Sequence, residues 1–181
     1  MVYKTIISVD DLKNNLNNDD FLIFDSRCDI KDSGYGIDSY TEGHIPNSIF
    51  VDVDTDLASE KRPGTGRHPL PDPNTFSEKL SHWGMSNNKQ VVVYDDAGGA
   101  FAGRLWWMLK WLGHEAVAVL DGGLNSWVKG GNKLVTTPTV FEKAHFEPCV
   151  QENMIATVED VEEAQFKMNT CLLYTSDAAD E

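Results

Sequence analysis

Short continuous runs of apolar residues alternate along this chain with stretches in which apolar residues recur every three or four positions. The continuous runs predict four strands, at residues 21–24, 49–51, 90–94 and 117–120. A run without polar interruption is typical of a strand covered on both faces, as in a parallel sheet. The helical spacing predicts four helices, at residues 8–17, 73–83, 99–112 and 124–129.

Cap and turn residues support these helices. Ser8 and Asp11 form a capping box, Pro73 stands where a helix can start, and Gly84 and Gly113 follow two predicted helix ends. Strands that alternate with helices at these intervals predict an α/β fold, a three-layer arrangement of a parallel sheet with helices on both faces. Residues 52–73 are rich in glycine, proline and charge, and predict a long surface loop.

Composition narrows the class of protein. The formal charge of −14 at pH 7 disfavours a nucleic-acid partner, because phosphate binding relies on lysine and arginine. No apolar run approaches the ~20 residues of a membrane span, and the first residues lack the order of a signal peptide. Cys28, Cys149 and Cys171 are too widely spaced for a metal pattern or a disulfide framework. We expect a cytoplasmic protein with no metal, no cofactor and no membrane partner.

The start of the chain recurs near its end. Residues 156–161 restate residues 7–12 at an offset of 149, and Thr157 and Asp160 repeat the capping-box pair Ser8 and Asp11. We therefore expect one domain at residues 5–135, a linker at residues 136–152 and the start of a second copy at residues 153–170. Residues 171–181 resemble a translated sequencing adapter, and we exclude them from the fold as non-native.

A glycine-rich loop joins the third predicted strand to the next helix. Gly98, Gly99 and Gly103 stand in this loop or at its end, where backbone N–H groups and a helix N-terminus form a natural anion cradle. The residue at its head is Asp95, whose carboxylate is a poor ligand for an anion. The loop also lacks the glycine register of a dinucleotide-binding motif. The pattern predicts that the central chemistry lies elsewhere.

Four segments carry a family resemblance. They are Asp25-Ser26-Arg27, residues 40–46 with His44-Ile45-Pro46, residues 92–95, and residues 105–109 followed by residues 120–127. Together and in this order they resemble the N-terminal half of two-domain rhodanese-type sulfurtransferases, the thiosulfate and 3-mercaptopyruvate enzymes. The resemblance covers about residues 5–135 and extends into the linker and the start of the second domain. Asn47-Ser48 departs from it, since the family usually has Gly-Ala there.

The resemblance implies a duplicated domain whose persulfide-forming cysteine lies in the second copy, at the position that Asp95 occupies here. A converging set of N–H groups favours the thiolate that attacks sulfur, whereas a carboxylate can neither attack sulfane sulfur nor carry it. We expect this copy to be non-catalytic and this chain alone to be inactive. The whole protein is expected to move sulfane sulfur from thiosulfate or 3-mercaptopyruvate to cyanide or a thiol, with the second domain as partner.

Asp54 and His68 resemble an assisting pair of the 3-mercaptopyruvate enzymes, in which an aspartate and a histidine help a second-domain serine to relay a proton. Cleavage of the carbon–sulfur bond leaves an enolate, and a histidine can supply the proton it needs. We expect structural roles for His44 at a turn, for Asp25 with Arg27 at the sheet edge, and for Arg104 as an ion-pair partner on its helix.

Two other functions stay open. One is a non-enzymatic rhodanese-like binding or regulatory module, in which the second copy also lacks its cysteine. The other is a phosphatase related by fold, which needs a cysteine in the glycine-rich loop. Asp95 argues against the phosphatase within this domain.

Overall fold

The computed structural model of this chain describes residues 2–166, and residues 171–181, with the predicted adapter, lie outside them. The described residues divide into two compact units, one up to Val150 and one from Gln151 onward. The first unit holds five strands: β1 (Ile6–Ile7), β2 (Phe21–Asp25), β3 (Ser48–Phe50), β4 (Gln90–Tyr94) and β5 (Val117–Leu120). Its helices are α1 (Val9–Asn14), α2 (Tyr35–Glu42), α3 (Pro73–His82), α4 (Ala102–Trp111) and α5 (Gly123–Lys129).

The strands form one parallel sheet in the order β1-β5-β4-β2-β3. The chain enters at one edge, crosses to β2, moves outward to β3 and then returns through β4 and β5. Because parallel crossovers are right-handed, this reversal places α1 and α2 on one face and α3 and α4 on the other. The predicted three-layer α/β fold is confirmed.

Alternate residues of the central strands enter two separate cores. On one face a cluster includes Ile23, Val92 and Tyr94 together with Leu12 of α1 and Trp127 of α5. The intervening residues point the other way, and the ring of Phe24 there meets that of Trp83, at the end of α3, with 5.7 Å between centroids. Burial on both faces explains the continuous apolar runs of β2 and β4.

Two elements escaped the sequence patterns. β1 is two residues long, too short for a recognisable run, and is defined by its pairing with Val119 and Leu120 of β5. α2 follows Gly34, which provides no side-chain cap, and buries only Gly36 and Tyr40. β4 and β5 match their predicted bounds, and the other predicted elements differ from the structure by up to a few residues at their ends. α4 starts at Ala102 rather than at residue 99 because Gly98 and Gly99 adopt positive φ.

The segment after α5 packs against the rest of the first unit, and its residues 136–150, all described, contain neither helix nor strand. The N–H of Phe146 donates to Ser81 Oγ of α3 at 3.0 Å, and the side chain of Phe146 is buried. The N–H of Cys149 donates to the carbonyl of Leu112 at 2.8 Å. This part of the predicted linker is therefore fastened to the domain that precedes it.

The second unit begins with a short 3-10 turn (Glu152–Met154) and continues into α6 (Val158–Phe166). The predicted capping box opens α6: the N–H of Asp160 donates to Thr157 Oγ1 at 3.1 Å, and the N–H of Thr157 donates to Asp160 Oδ2 at 2.8 Å. At α1 the N–H of Asp11 donates to Ser8 Oγ over the same 3.1 Å. None of the helices in residues 2–166 has the length and apolarity to span a bilayer.

Candidate functional site

The loop that follows β4 closes around the carboxylate of Asp95. Oδ1 accepts hydrogen bonds from the N–H groups of Ala97 (3.0 Å) and Gly99 (2.8 Å). Oδ2 accepts from the N–H groups of Phe101 and Ala102, both at 2.9 Å. Asp95 is 1% exposed. The predicted cradle of N–H groups therefore exists, and its anion is a side chain of the protein itself.

Glycines allow the backbone to reach this geometry. Gly99, with φ 92°, lies in the left-handed region and turns its N–H toward Asp95. Gly123, with φ 56°, approaches the strand end so closely that a Cβ there would lie 2.2 Å from the carbonyl oxygen of Asp95. That carbonyl accepts the N–H of Leu124 at 2.8 Å, which ties α5 to the end of β4.

The occupied cradle limits the chemistry of this loop. Four charge-assisted bonds satisfy the carboxylate, so the loop presents no vacant set of converging donors to a substrate anion. A buried carboxylate is not a nucleophile toward sulfur. The loop is thus an internal stabilising device that joins β4 to the N-terminus of α4.

Asp54 and His68 meet in the long loop between β3 and α3. His68 Nε2 lies 2.7 Å from Asp54 Oδ1, although the two residues are 14 positions apart. Asp52 Oδ1 accepts the N–H groups of Asp54 (2.7 Å) and Thr55 (2.9 Å), which fixes the turn that carries Asp54. The two side chains are partly exposed, 25% for His68 and 39% for Asp54. The structure therefore brings together the two predicted site residues.

An imidazole paired with a carboxylate in this way can deliver or accept a proton while its orientation is held. Asp54 follows β3 and Asp95 follows β4, so both lie at the edge where the strands have their carboxyl ends. Open α/β sheets bind ligands at this edge.

Arg104 does not form the predicted ion pair, since no carboxylate in the described residues is bridged to it. Its guanidinium instead donates to the main chain of the same long loop, at the carbonyl oxygens of Leu57 and His68. The prediction was wrong because the loop folds back over α4, which helical spacing cannot reveal.

The predicted pair of Asp25 and Arg27 is confirmed as a buried salt bridge of 2.7 Å. Tyr94 Oη also donates to Asp25 Oδ2 at 2.7 Å, and Arg27 Nη2 donates to the carbonyl of Gly43 at 2.8 Å. Burial by itself would lower the pKa of Arg27, but the hydrogen bonds and the charge of Asp25 raise it. Burial, followed by the charge of Asp25, raises the pKa of Tyr94 well above its ordinary value.

His44 has the structural role expected of it. Its ring stacks on Tyr40 with 3.7 Å between centroids, Nδ1 lies 2.7 Å from the carbonyl oxygen of Tyr40, and Nε2 lies 3.1 Å from that of Thr137. Its main chain pairs with Val135 in an antiparallel bridge. His44 therefore fastens the segment after α5 to the end of α2.

Cys28, the cysteine nearest to the pair of Asp54 and His68 in the sequence, is a poor nucleophile. Burial, and then the charges of Asp54 and Asp52, raise the pKa of the Cys28 thiol, which disfavours the reactive thiolate. Cys149 lies in the segment that follows α5, and Cys171 is outside the described residues. Within residues 2–166 no cluster of three or more histidine, cysteine or acidic side chains could hold a metal ion.

Comparison with known proteins gives a consistent result. Residues 8–130, more than half of the chain, match the family model of the rhodanese-like domain. A probable 3-mercaptopyruvate sulfurtransferase of Pseudomonas aeruginosa is 42% identical over 144 residues, which are 78% of this chain and 51% of that protein. The thiosulfate sulfurtransferase of Rattus norvegicus is 35% identical over 126 residues, 67% of this chain and 41% of that protein. The chain thus spans about half the length of these relatives.

Solved structures are similar as well. The 3-mercaptopyruvate sulfotransferase SseA from Escherichia coli superposes with a TM-score of 0.80 at 27% identity, over 91% of this chain and 64% of that one. The 3-mercaptopyruvate sulfurtransferase from Leishmania major superposes with a TM-score of 0.74 at 30% identity, over 82% of this chain and 42% of that one.

Proposed function

We propose, since the chain belongs to the rhodanese-like domain family, that it is the N-terminal half of a two-domain sulfurtransferase. Residues 5–135 are the non-catalytic copy, residues 136–152 the linker and residues 153–170 the start of the catalytic copy. The whole protein moves sulfane sulfur from 3-mercaptopyruvate or thiosulfate to cyanide or a thiol in the cytoplasm. Its persulfide cysteine belongs to the second copy.

The observation that carries this proposal is the burial of Asp95 in the cradle of N–H groups. In a catalytic copy a cysteine at this position would have its thiolate stabilised by the same donors. Here the carboxylate uses all four, so the fold of a sulfurtransferase is kept without its nucleophile. The nucleophile has to come from another copy of the loop.

Two further observations support the second copy. The capping box of α6 repeats the one at α1 after 149 positions, with the same 3.1 Å bond from the N–H of the third residue. The relatives that this chain matches are also about twice as long as the matched segment, 51% of one and 41% of another.

The pair of Asp54 and His68 has a defined task in this reaction. The cysteine thiolate attacks the sulfur of 3-mercaptopyruvate, the new S–S bond forms a persulfide, and the electron pair of the C–S bond stays on carbon as the enolate of pyruvate. The enolate must then take up a proton. His68, as an imidazolium oriented by Asp54 at 2.7 Å, gives up this proton through the hydroxyl of a serine in the second domain and becomes a neutral imidazole.

The assay that tests the proposal compares this chain with the protein encoded by the whole gene. We expect the whole protein to form thiocyanate from cyanide with at least one of the two donors, and this 181-residue chain to form none with either. A well-folded whole protein that turns over neither donor would favour the binding or regulatory module instead. Cysteine-dependent turnover by this chain alone would contradict the assignment of the nucleophile to the second copy.

Replacement of His68 by glutamine separates the two donors. In the whole protein we expect His68→Gln to lower kcat for 3-mercaptopyruvate about 100-fold, because general acid catalysis by one side chain contributes at least about that factor. Turnover of thiosulfate should be unchanged, since sulfite leaves as an anion and no enolate forms. The matched control is His82→Gln, at an exposed histidine of α3. Equal losses for both donors would argue against a proton-relay role.

A further inference from the structure

The loop that carries Asp54 and His68 is long, and its two arms must be held together for these side chains to meet. It runs from residue 51 to Pro73, where α3 begins, and its outer residues 60–67 are exposed. The N–H of Ser59 donates to the carbonyl of Pro69 at 2.9 Å, which joins the two arms of the loop beyond the pair. Ordering such a loop costs conformational entropy, so contacts between its arms decide whether the pair persists.

Arg104 contacts both arms from the first turn of α4. Nε and Nη2 donate to the carbonyl of Leu57 at 3.0 and 2.6 Å, and Nη2 also donates to the carbonyl of His68 at 3.0 Å. Leu57 lies three residues after Asp54, and the second carbonyl belongs to the proposed proton donor itself. One rigid guanidinium therefore joins the main chain of His68 to that of Leu57, on the arm that carries Asp54.

The location of this arginine is otherwise unfavourable. A cation in the first turn of a helix opposes the helix dipole, and burial lowers the pKa of Arg104. None of the ion pairs in the described residues compensates its charge. The three hydrogen bonds from Arg104 to the loop offset these unfavourable contributions.

Lys79 braces the same loop differently. Its Nζ donates to the carbonyl of Thr55 at 2.9 Å and to Asp56 Oδ1 at 3.1 Å. Both contacts are on the arm of Asp54 and neither reaches the arm of His68. Lys79 can therefore order only the arm that carries Asp54. Of these two cations, Arg104 is the one that connects the two arms of the loop.

We infer that Arg104 is a positioning residue: it holds the main chain of His68 against the arm of Asp54, so that the imidazole stays on the carboxylate. This role deepens the proposed function, and its catalytic consequence rests on that function. The contact itself belongs to this chain and can be measured without the second domain.

The first test is nuclear magnetic resonance of this chain with Arg104→Met. In the unmodified chain we expect one His68 imidazole state with a proton on Nε2, directed at Asp54. In Arg104→Met the His68 signals should move to those of an unpaired imidazole. The amide of Ser59 should exchange about tenfold faster, because the loop opens locally without global unfolding. Arg104→Lys, which keeps the charge but not the fork, should give an intermediate result.

The control is Lys110→Met, which removes one positive charge from the same helix at its pair with Glu115. It should leave the His68 signals and the Ser59 exchange rate unchanged. The inference is overturned if Arg104→Met keeps the His68 imidazole of the unmodified chain, or if Lys110→Met changes it equally. Should Arg104→Met fail to fold, the same comparison is made with Arg104→Lys.

The second test uses the whole protein. Arg104→Met should lower kcat for 3-mercaptopyruvate about tenfold and leave turnover of thiosulfate within about twofold. The effect should be smaller than that of His68→Gln because Arg104 positions the proton donor and does not itself transfer the proton. If His68→Gln has no effect on either donor, the proton-relay role of His68 fails while the magnetic resonance result still decides the positioning role. If His68→Gln is impaired and Arg104→Met is not, the positioning role fails alone.

Discussion

Asp95→Asn is expected to lower the free energy of unfolding by about 3 kcal/mol, because two buried N–H donors would lose a charged acceptor and face an amide NH2 group. The substitution keeps the size of the side chain, so the loss reports the hydrogen bonds rather than a cavity. Asp95→Ala removes the acceptor of all four donors and is expected to cost about 5 kcal/mol. Both values can be measured from urea unfolding of this chain.

The matched control is Asp121→Asn. Asp121 follows β5 as Asp95 follows β4, but its side chain is exposed, and substitutions at such positions usually change stability by less than about 0.5 kcal/mol. Similar unfolding midpoints for Asp95→Asn and Asp121→Asn would contradict the view that the carboxylate holds the loop together. The result bears on function, because it measures how much stability the Asp95 carboxylate contributes at the position that the proposal assigns to the cysteine nucleophile in the second copy.

Arg27→Met is expected to lower the free energy of unfolding by about 3–5 kcal/mol, because it leaves the buried carboxylate of Asp25 without its counter-ion. Asp25 is fully buried and Arg27 is 5% exposed, so solvent cannot replace the lost partner. The N–H of residue 27 and the hydroxyl of Tyr94 would remain as donors, and two neutral donors only partly satisfy the carboxylate. Urea unfolding again supplies the measurement.

Two further variants identify the cause of that loss. Asp25→Asn combined with Arg27→Met should be more stable than Arg27→Met alone, since the double variant buries no unpaired charge. Lys79→Met removes a cation from a partly exposed pair with Asp56 and should cost less than about 1 kcal/mol. A double variant less stable than Arg27→Met would mean that packing, not charge, dominates at this position.

The elements predicted correctly have a local physical signature. β4 and β5 match their predicted bounds because strands covered on both faces need consecutive apolar residues. α3 follows from Pro73 in its first turn and from Gly84 beyond its end. By contrast, β1 is only two residues long, and α2 buries few residues and has no side-chain cap, so their sequences resemble those of loops.

The candidate site likewise has a part with a local sequence signature and a part without one. The strand, glycine-rich loop and helix around Asp95 are visible as a pattern, because left-handed turns select glycine. The pairing of Asp54 with His68 has no periodic signature across 14 loop residues, and only the family resemblance pointed to it. The contacts of Arg104 were predicted wrongly, since its partners are carbonyl oxygens, which every residue possesses.

The sequence by itself therefore determined the α/β class, most of the helices and strands, and the absence of a cysteine from the loop after β4. Each of these depends on residues close to one another, whose burial pattern and backbone preferences are local. Only the tertiary structure decided that four N–H groups converge on Asp95, and that Arg104 joins loop carbonyls 47 and 36 residues away. Such contacts depend on the order of strands in the sheet and on how the loop folds over α4, and neither leaves a repeat in the chain.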